Sequence, residues 1–146
     1  LTIFNYFESQ GAVFPIEAVY NQGRDPEIPD TVTDPLERIA RRFYGSMTRY
    51  HEKARANTGH PTVEWLLDLI DDYKCDAVVF HQAMTCRTVH TGQLNQINTF
   101  KRYSDKPVLL LEGDIVDVRN YDEPTTRQRV DAFLAVVNSH KRSSDG

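Results

Sequence analysis

The segment FHQAMTCR, residues 80–87, places a cysteine between an apolar run and a helix-like stretch. Cys86 is thereby expected where unpaired backbone N–H groups and the positive end of a helix dipole gather. Both favour a thiolate over a thiol, and the Arg87 cation adds to the effect. A thiolate is the form that binds a metal or attacks an electrophile. The bland reading is a small apolar side chain filling a turn. Cys75, by contrast, sits inside the apolar run, where a buried structural cysteine belongs.

Other chemistries share these residues. His81, Cys86 and His90 offer nitrogen, sulfur and nitrogen to a zinc ion. Their spacing, H-x4-C-x3-H, matches no familiar zinc pattern, and no fourth ligand is near in sequence. A strand-end histidine such as His81 is more often hydrogen-bonded within its turn, and His90 in a first helical turn is more often solvated. Cys86 with His81 as base would make a nucleophile, yet no cysteine-hydrolase signature surrounds the pair. The later stretch GDIVDVR carries Asp114, Asp117 and Arg119. Two carboxylates after a strand suit Mg²⁺, but internal Asp–Arg pairing is the favoured reading. The seven glycines are scattered, so no glycine-rich nucleotide loop is present. Any ATP used by the system is bound by another protein.

The elements that must position these groups follow from hydrophobic spacing. Residues 1–10 suit a short helix, with Gly11 as its stop. Residues 12–20 are rich in β-formers, although Pro15 demotes the middle to an edge or irregular strand. Residues 21–33 form a long loop of the kind that is often functional. Asp34, Pro35 and Glu37 have capping-box spacing ahead of a helix to about Tyr44. A more polar helical stretch spans 47–56 and stops near Gly59. Pro61 opens a helix with Val63, Leu66, Leu67 and Ile70 on one face. Residues 75–81 read as a buried strand. A helix over 88–103 turns Val89, Leu94, Ile97 and Phe100 inward. Residues 107–112 form a second buried strand, and 113–120 a turn. Pro124 starts a final helix with Val130, Phe133, Leu134 and Val137 inward, and residues 143–146 fray.

Strands alternating with helices predict a parallel sheet with crossover helices. The expected fold is a Rossmann-like or flavodoxin-like α/β three-layer sandwich. Ligands of such sheets bind beyond the carboxyl ends of the strands. Three ends are predicted, at Tyr20–Asn21, at His81–Arg87 and at Gly113–Arg119.

The bulk composition sets outer limits. The chain has 146 residues, 40% hydrophobic and 26% charged. That fits a single α/β domain over 1–146, which hides roughly 70% of its unfolded surface. A net charge of −4 argues against a nucleic-acid partner. No apolar run approaches the ~20 residues that span a bilayer, so no membrane association is expected, and no signal peptide is evident. Two cysteines make no disulfide framework, and a reducing cytoplasm is the expected setting. The chain opens at Leu1, already within an apolar, helix-like run, which predicts a piece of something longer. A trimmed amino terminus is the alternative.

Residues 75–136 resemble the carboxy-terminal part of the 2-hydroxyacyl-CoA dehydratase/benzoyl-CoA reductase subunits. The resemblance rests on Cys86–Arg87 after a strand, then a helix and a Pro-Val-Leu-rich strand. It continues in the acidic motif Glu112–Asp114–Asp117–Arg119 and in the helix bearing Arg129, Asp131 and Phe133. Upstream, DPLERIARRFY resembles the family's helix before its interdomain region. The wording of TCRTVHTGQ and EGDIVDVRNY leans toward the benzoyl-CoA reductase side.

The resemblance implies two Rossmann-like lobes per subunit with a [4Fe–4S] cluster between them. Three cysteines hold such a cluster and leave one iron open. Cys86 matches the last of the three, the others lie outside this chain, and Cys75 matches none. One cysteine cannot hold a cluster, so the isolated domain is expected to be inactive. The implied partners are an acyl-CoA or aroyl-CoA substrate, a homologous subunit in a heterodimer, and an ATP-dependent iron–sulfur activator. The implied reaction passes a low-potential electron to a CoA thioester. In a benzoyl-CoA reductase the electron enters the aromatic ring; in a 2-hydroxyacyl-CoA dehydratase it makes a ketyl radical anion that expels the hydroxyl. Loop position, not the resemblance, nominates His81, Gln82 and Arg87 for catalysis and Thr85, Thr88 and Asp114 for substrate binding. A non-catalytic α/β ligand-binding or scaffolding module remains the alternative.

Overall fold

The computed structural model describes residues 2–17, 26–114 and 117–144. Its first helix, α1 (Thr2–Ser9), buries Phe7, whose ring meets Phe14 edge-on at 5.0 Å. The second, α2 (Pro35–Thr48), starts where its cap predicts. Asp34 accepts from the amides of Leu36 (2.8 Å) and Glu37 (3.3 Å), and Pro35 opens the helix. Glu37 pairs with Arg41 at 2.6 Å, one turn on. The helix passes the expected stop at Tyr44 and leaves Leu36 75% and Ile39 55% exposed.

Two helices follow, α3 (His51–Ala56) and α4 (Pro61–Asp72). The apolar face of α4 is the predicted one, with Val63 and Ile70 buried and Leu66 and Leu67 packed beside them. Glu64 is buried as well, accepting from the Thr58 amide at 2.9 Å and facing Lys53 at 3.8 Å.

Strand β1 (Val78–Ala83) pairs in parallel with β2 (Val108–Gly113), from Val78 opposite Val108 to Ala83 opposite Gly113. Parallel neighbours need a crossover, here supplied by α5 (Arg87–His90) and α6 (Gln93–Tyr103). A single 3₁₀ turn at Val118–Asn120 leads to α7 (Glu123–Ser144).

Helices cover both faces of the pair. On one face Leu109 and Leu111 meet Val130, Phe133 and Val137 of α7 and Phe7 of α1. On the other, Val78 and Val108 pack on Val63 and Ile70 of α4 and Phe100 of α6. The period-two alternation of a strand sends neighbouring residues to opposite layers, which is why Val78–Phe80 and Val108–Leu111 read as apolar runs. The architecture is α/β with a short open parallel sheet. Among the described residues the sheet has two strands, fewer than a Rossmann-like or flavodoxin-like sandwich contains.

Several expectations are corrected. Residues 12–17 form no strand, in keeping with Pro15, which removes a ladder donor. Residues 18–25 lie outside the described segments, and with them the expected strand end at Tyr20–Asn21. Both strands begin later than predicted, so Cys75 precedes β1 and His81 lies within it. The helix expected over 88–103 breaks at Thr91–Gly92, where Gly92 takes φ +83°, a conformation glycine adopts without steric cost. The break rotates the face that follows: Leu94 is 62% exposed, while Gln93 is buried. The final helix continues to Ser144 instead of fraying at 143.

Candidate functional site

The carboxyl ends of β1 and β2 lie side by side, because Ala83 pairs with Gly113. The ladder continues one step further, with the Met84 amide donating to the Gly113 carbonyl at 3.0 Å. The two loops that leave these ends are therefore neighbours. One carries Thr85 and Cys86, the other Asp114 and Asp117.

Cys86 is a free, half-buried cysteine at the amino end of α5, with an extended backbone (φ −96°, ψ 97°). Its amide donates to the Ala83 carbonyl at 3.1 Å, and its carbonyl accepts from the His90 amide at 2.9 Å. The helix after it has four residues, and the sulfur makes no capping hydrogen bond. The expected full-helix dipole at the sulfur is thus reduced to a single turn. Cys86 is three residues past the end of β1 and is not fully buried.

Hydrogen bonds hold the loop from three directions. The Thr85 hydroxyl donates to Asp114 Oδ1 at 2.8 Å. Gln82 Nε2 contacts His90 Nδ1 at 2.9 Å, tying the end of β1 to the end of α5. Gln93 Nε2 donates to the His81 carbonyl at 3.0 Å. Gln93 is buried, and its Oε1 has no hydrogen-bond partner among the described residues.

Asp114 is held from its own side of the sheet. Its Oδ1 also accepts from the Asp117 amide at 3.3 Å, and Oδ2 from Asn120 Nδ2 at 3.5 Å. Asp117 forms a close pair with Arg119, 2.7 Å from Nη2. Hydrogen bonds from the Arg119 side chain and amide hold the Asp117 carboxyl below the usual carboxylate range. The favoured reading of the acidic loop, internal Asp–Arg pairing, describes this geometry. Ile115 and Val116 lie outside the described residues. Arg129 of α7 donates to the Leu110 carbonyl at 2.6 Å and faces Glu112 at 3.9 Å, so the last helix grips β2 through its charged residues too.

The nominated residues thus divide into two sets. The fold joins Thr85 to Asp114 and Gln82 to His90. His81 and Arg87 are exposed beside them, and the Thr88 side chain is outside the described set. His81, Cys86 and His90 are not gathered for zinc: among the described residues no three His, Cys, Asp or Glu side chains form a group able to hold a metal ion. Cys75 is half-buried, and burial pushes its thiol up, with Asp76 adding to the effect. It precedes β1 whereas Cys86 follows it, and a six-residue strand is about 20 Å long. The two thiols cannot share one cluster. Of the two cysteines, Cys86 alone lies at the carboxyl ends of the strands, so this chain offers one thiol there.

Sequence reasoning misses three contributors. Gln93 is hidden by the unforeseen helix break, for which Gly92 is the available signal. Gly113 reads as a plain turn residue, yet a Cβ there would stand 3.0 Å from His81 Nε2, so the bare backbone makes room for the ring. Arg129 belongs to a motif that assigns it no role.

No helix among the described residues is long and apolar enough to cross a membrane. No solved structure matches the chain at a significant level. A benzoyl-CoA reductase polypeptide of Thauera aromatica, the B component of that enzyme, is 26% identical over 145 residues, covering 94% of this chain and 30% of that protein. The chain thus spans under a third of that relative's length. The family model for the D-component of 2-hydroxyglutaryl-CoA dehydratase matches residues 1–137, nearly the whole chain, and the chain belongs to that family.

Proposed function

We propose that this chain is one domain of a larger [4Fe–4S] enzyme subunit and that Cys86 is its single thiolate ligand to the cluster. The observation that carries the reading is the placement of Cys86. It is free, half-buried and pinned in the loop that leaves the carboxyl end of β1, where open parallel sheets bind ligands. The remaining ligands come from polypeptide outside this chain. When bound, the cluster supplies a low-potential electron for the thioester of an acyl-CoA or aroyl-CoA.

The residues of this chain do the rest. Exposed His81 and Arg87 and the Gln82 amide border the thiol loop. His81 and Arg87 supply donors for a thioester oxygen as negative charge develops there, which is worth most in a dry pocket, while Gln82, on the opposite face of β1 from its neighbour His81 and bonded to His90, holds the loop. Thr85 is already committed to Asp114, so these two shape the pocket wall and contact substrate only at its edge. The bare apolar side chains Leu36 and Ile39 on α2 support a surface for further polypeptide of the enzyme, whether the rest of the same subunit or a homologous partner. An ATP-dependent iron–sulfur activator supplies the electron, in a reducing cytoplasm.

The two likenesses divide on the outcome. The Thauera aromatica relative favours reduction of an aroyl-CoA ring, and the dehydratase family favours loss of water from a 2-hydroxyacyl-CoA. Both share the same first electron transfer. The test is iron and acid-labile sulfide per enzyme, prepared anaerobically from the full assembly, for wild type and Cys86→Ala. Loss or conversion of the cluster is expected, and unchanged iron defeats the ligand assignment.

A further inference from the structure

We infer that Asp114 is a positioning residue for Cys86, acting through Thr85 across the gap between the two strand-end loops. These positions stand on loops separated in sequence by the whole α5–α6 crossover. The structure joins them by one hydrogen bond, Thr85 Oγ1 to Asp114 Oδ1, at 2.8 Å.

The acceptor is itself immobilised. Asp114 receives the Asp117 amide on the same oxygen and Asn120 on the other, and it follows directly on Gly113, whose carbonyl takes the Met84 amide. The bond therefore ties Thr85 to a fixed point on the β2 side. Cys86 is the next residue. Its own amide is turned back to Ala83, and the far end of its loop is closed by Gln82 and His90. With both ends tied, the direction of the Cys86 Cα–Cβ bond is set by the Thr85 anchor. Without that anchor the segment keeps its tie to β2 at Met84, through the Gly113 carbonyl, but the two residues that follow, Thr85 and Cys86, lose their side-chain hold on the β2 loop.

The functional meaning rests on the reading of Cys86 as a metal ligand, since a thiolate bonded to a shared cluster must keep its bearing. The latch itself does not rest on it, and its test needs no metal. In the cluster-free protein, iodoacetamide alkylation of Cys86 is followed by peptide mass spectrometry, with Cys75 in the same molecule as the internal reference. Thr85→Val and Asp114→Ala are each expected to speed Cys86 alkylation about fivefold, the factor equivalent to about 1 kcal/mol for one hydrogen bond. The double variant is expected to be no faster than either single one. Thr85→Ser keeps the hydroxyl and is expected to retain the wild-type rate, with Cys75 unaffected throughout.

The proposal is overturned if Thr85→Val leaves the Cys86 rate unchanged, if Thr85→Ser behaves like Thr85→Val, if the single effects multiply, or if Cys75 accelerates in step. Should Asp114→Ala not fold, the contrast between valine and serine at position 85 still decides. Iron content in Cys86→Ala reports on the ligand reading alone, so a failure of one idea is distinguishable from a failure of the other.

Discussion

Replacing Gly113 by alanine tests whether the ends of the two strands hold His81 where the site needs it. Gly113 is the buried last residue of β2, and an added Cβ would lie 3.0 Å from His81 Nε2 and 3.8 Å from Cδ2. Ordinary contact needs about half an ångström more, so the ring must recede. Because His81 is exposed, it can do so by leaving its rotamer, at a cost of roughly 0.5–1.5 kcal/mol. Alanine in a strand recovers about 0.5–1 kcal/mol relative to glycine. The two terms nearly offset, and the predicted change in stability is within about 1 kcal/mol, or roughly 2–4 °C in Tm. The His81 ring nonetheless moves. Urea unfolding and the imidazole ¹H–¹⁵N correlations of His81 read the two effects separately. A loss above about 2 kcal/mol would mean that the ring is locked by contacts other than the one with Gly113. An unchanged His81 spectrum would mean that it does not sit over Gly113 at all. In the assembled enzyme, turnover should fall while iron content holds, if His81 faces the thioester.

Two further outcomes follow from particular contacts. The pH profile of Cys75 alkylation should be displaced upward from that of a free thiol, because burial raises its thiol. The sign is that of a raised group: its contribution to stability is complete below the unfolded thiol's pKa and is lost as pH rises through the folded one. A Cys75 rate that follows a free thiol's pH profile would contradict this. Ile39→Glu on α2 should leave the thermal unfolding of this domain nearly unchanged, since Ile39 is 55% exposed. It should weaken co-purification with the rest of the enzyme by roughly tenfold, about 1.4 kcal/mol, and undiminished assembly would remove α2 from the interface.

The sequence alone decided what local rules govern. Asp34 and Pro35 start α2 because the cap chemistry is contained in neighbouring residues. The inward faces of α4 and α7 follow from helical spacing, and Val63, Ile70, Val130, Phe133 and Val137 are all buried as that spacing requires. The two parallel strands were visible as apolar runs because each is covered on both faces. The motifs around Cys86 and Asp114 likewise pointed to the family whose model the chain matches.

Tertiary structure decided the remainder, because it depends on contacts between distant residues. Periodicity cannot say that a helix resets its face at Gly92, turning Gln93 in and Leu94 out. Nor can it say that His81 needs an empty place at Gly113. Above all, Thr85 and Asp114 meet only because parallel pairing brings two strand ends into register. Register is set by the packing of α7 and α1 on one face and α4 and α6 on the other, a global balance of burial that no short window of residues contains.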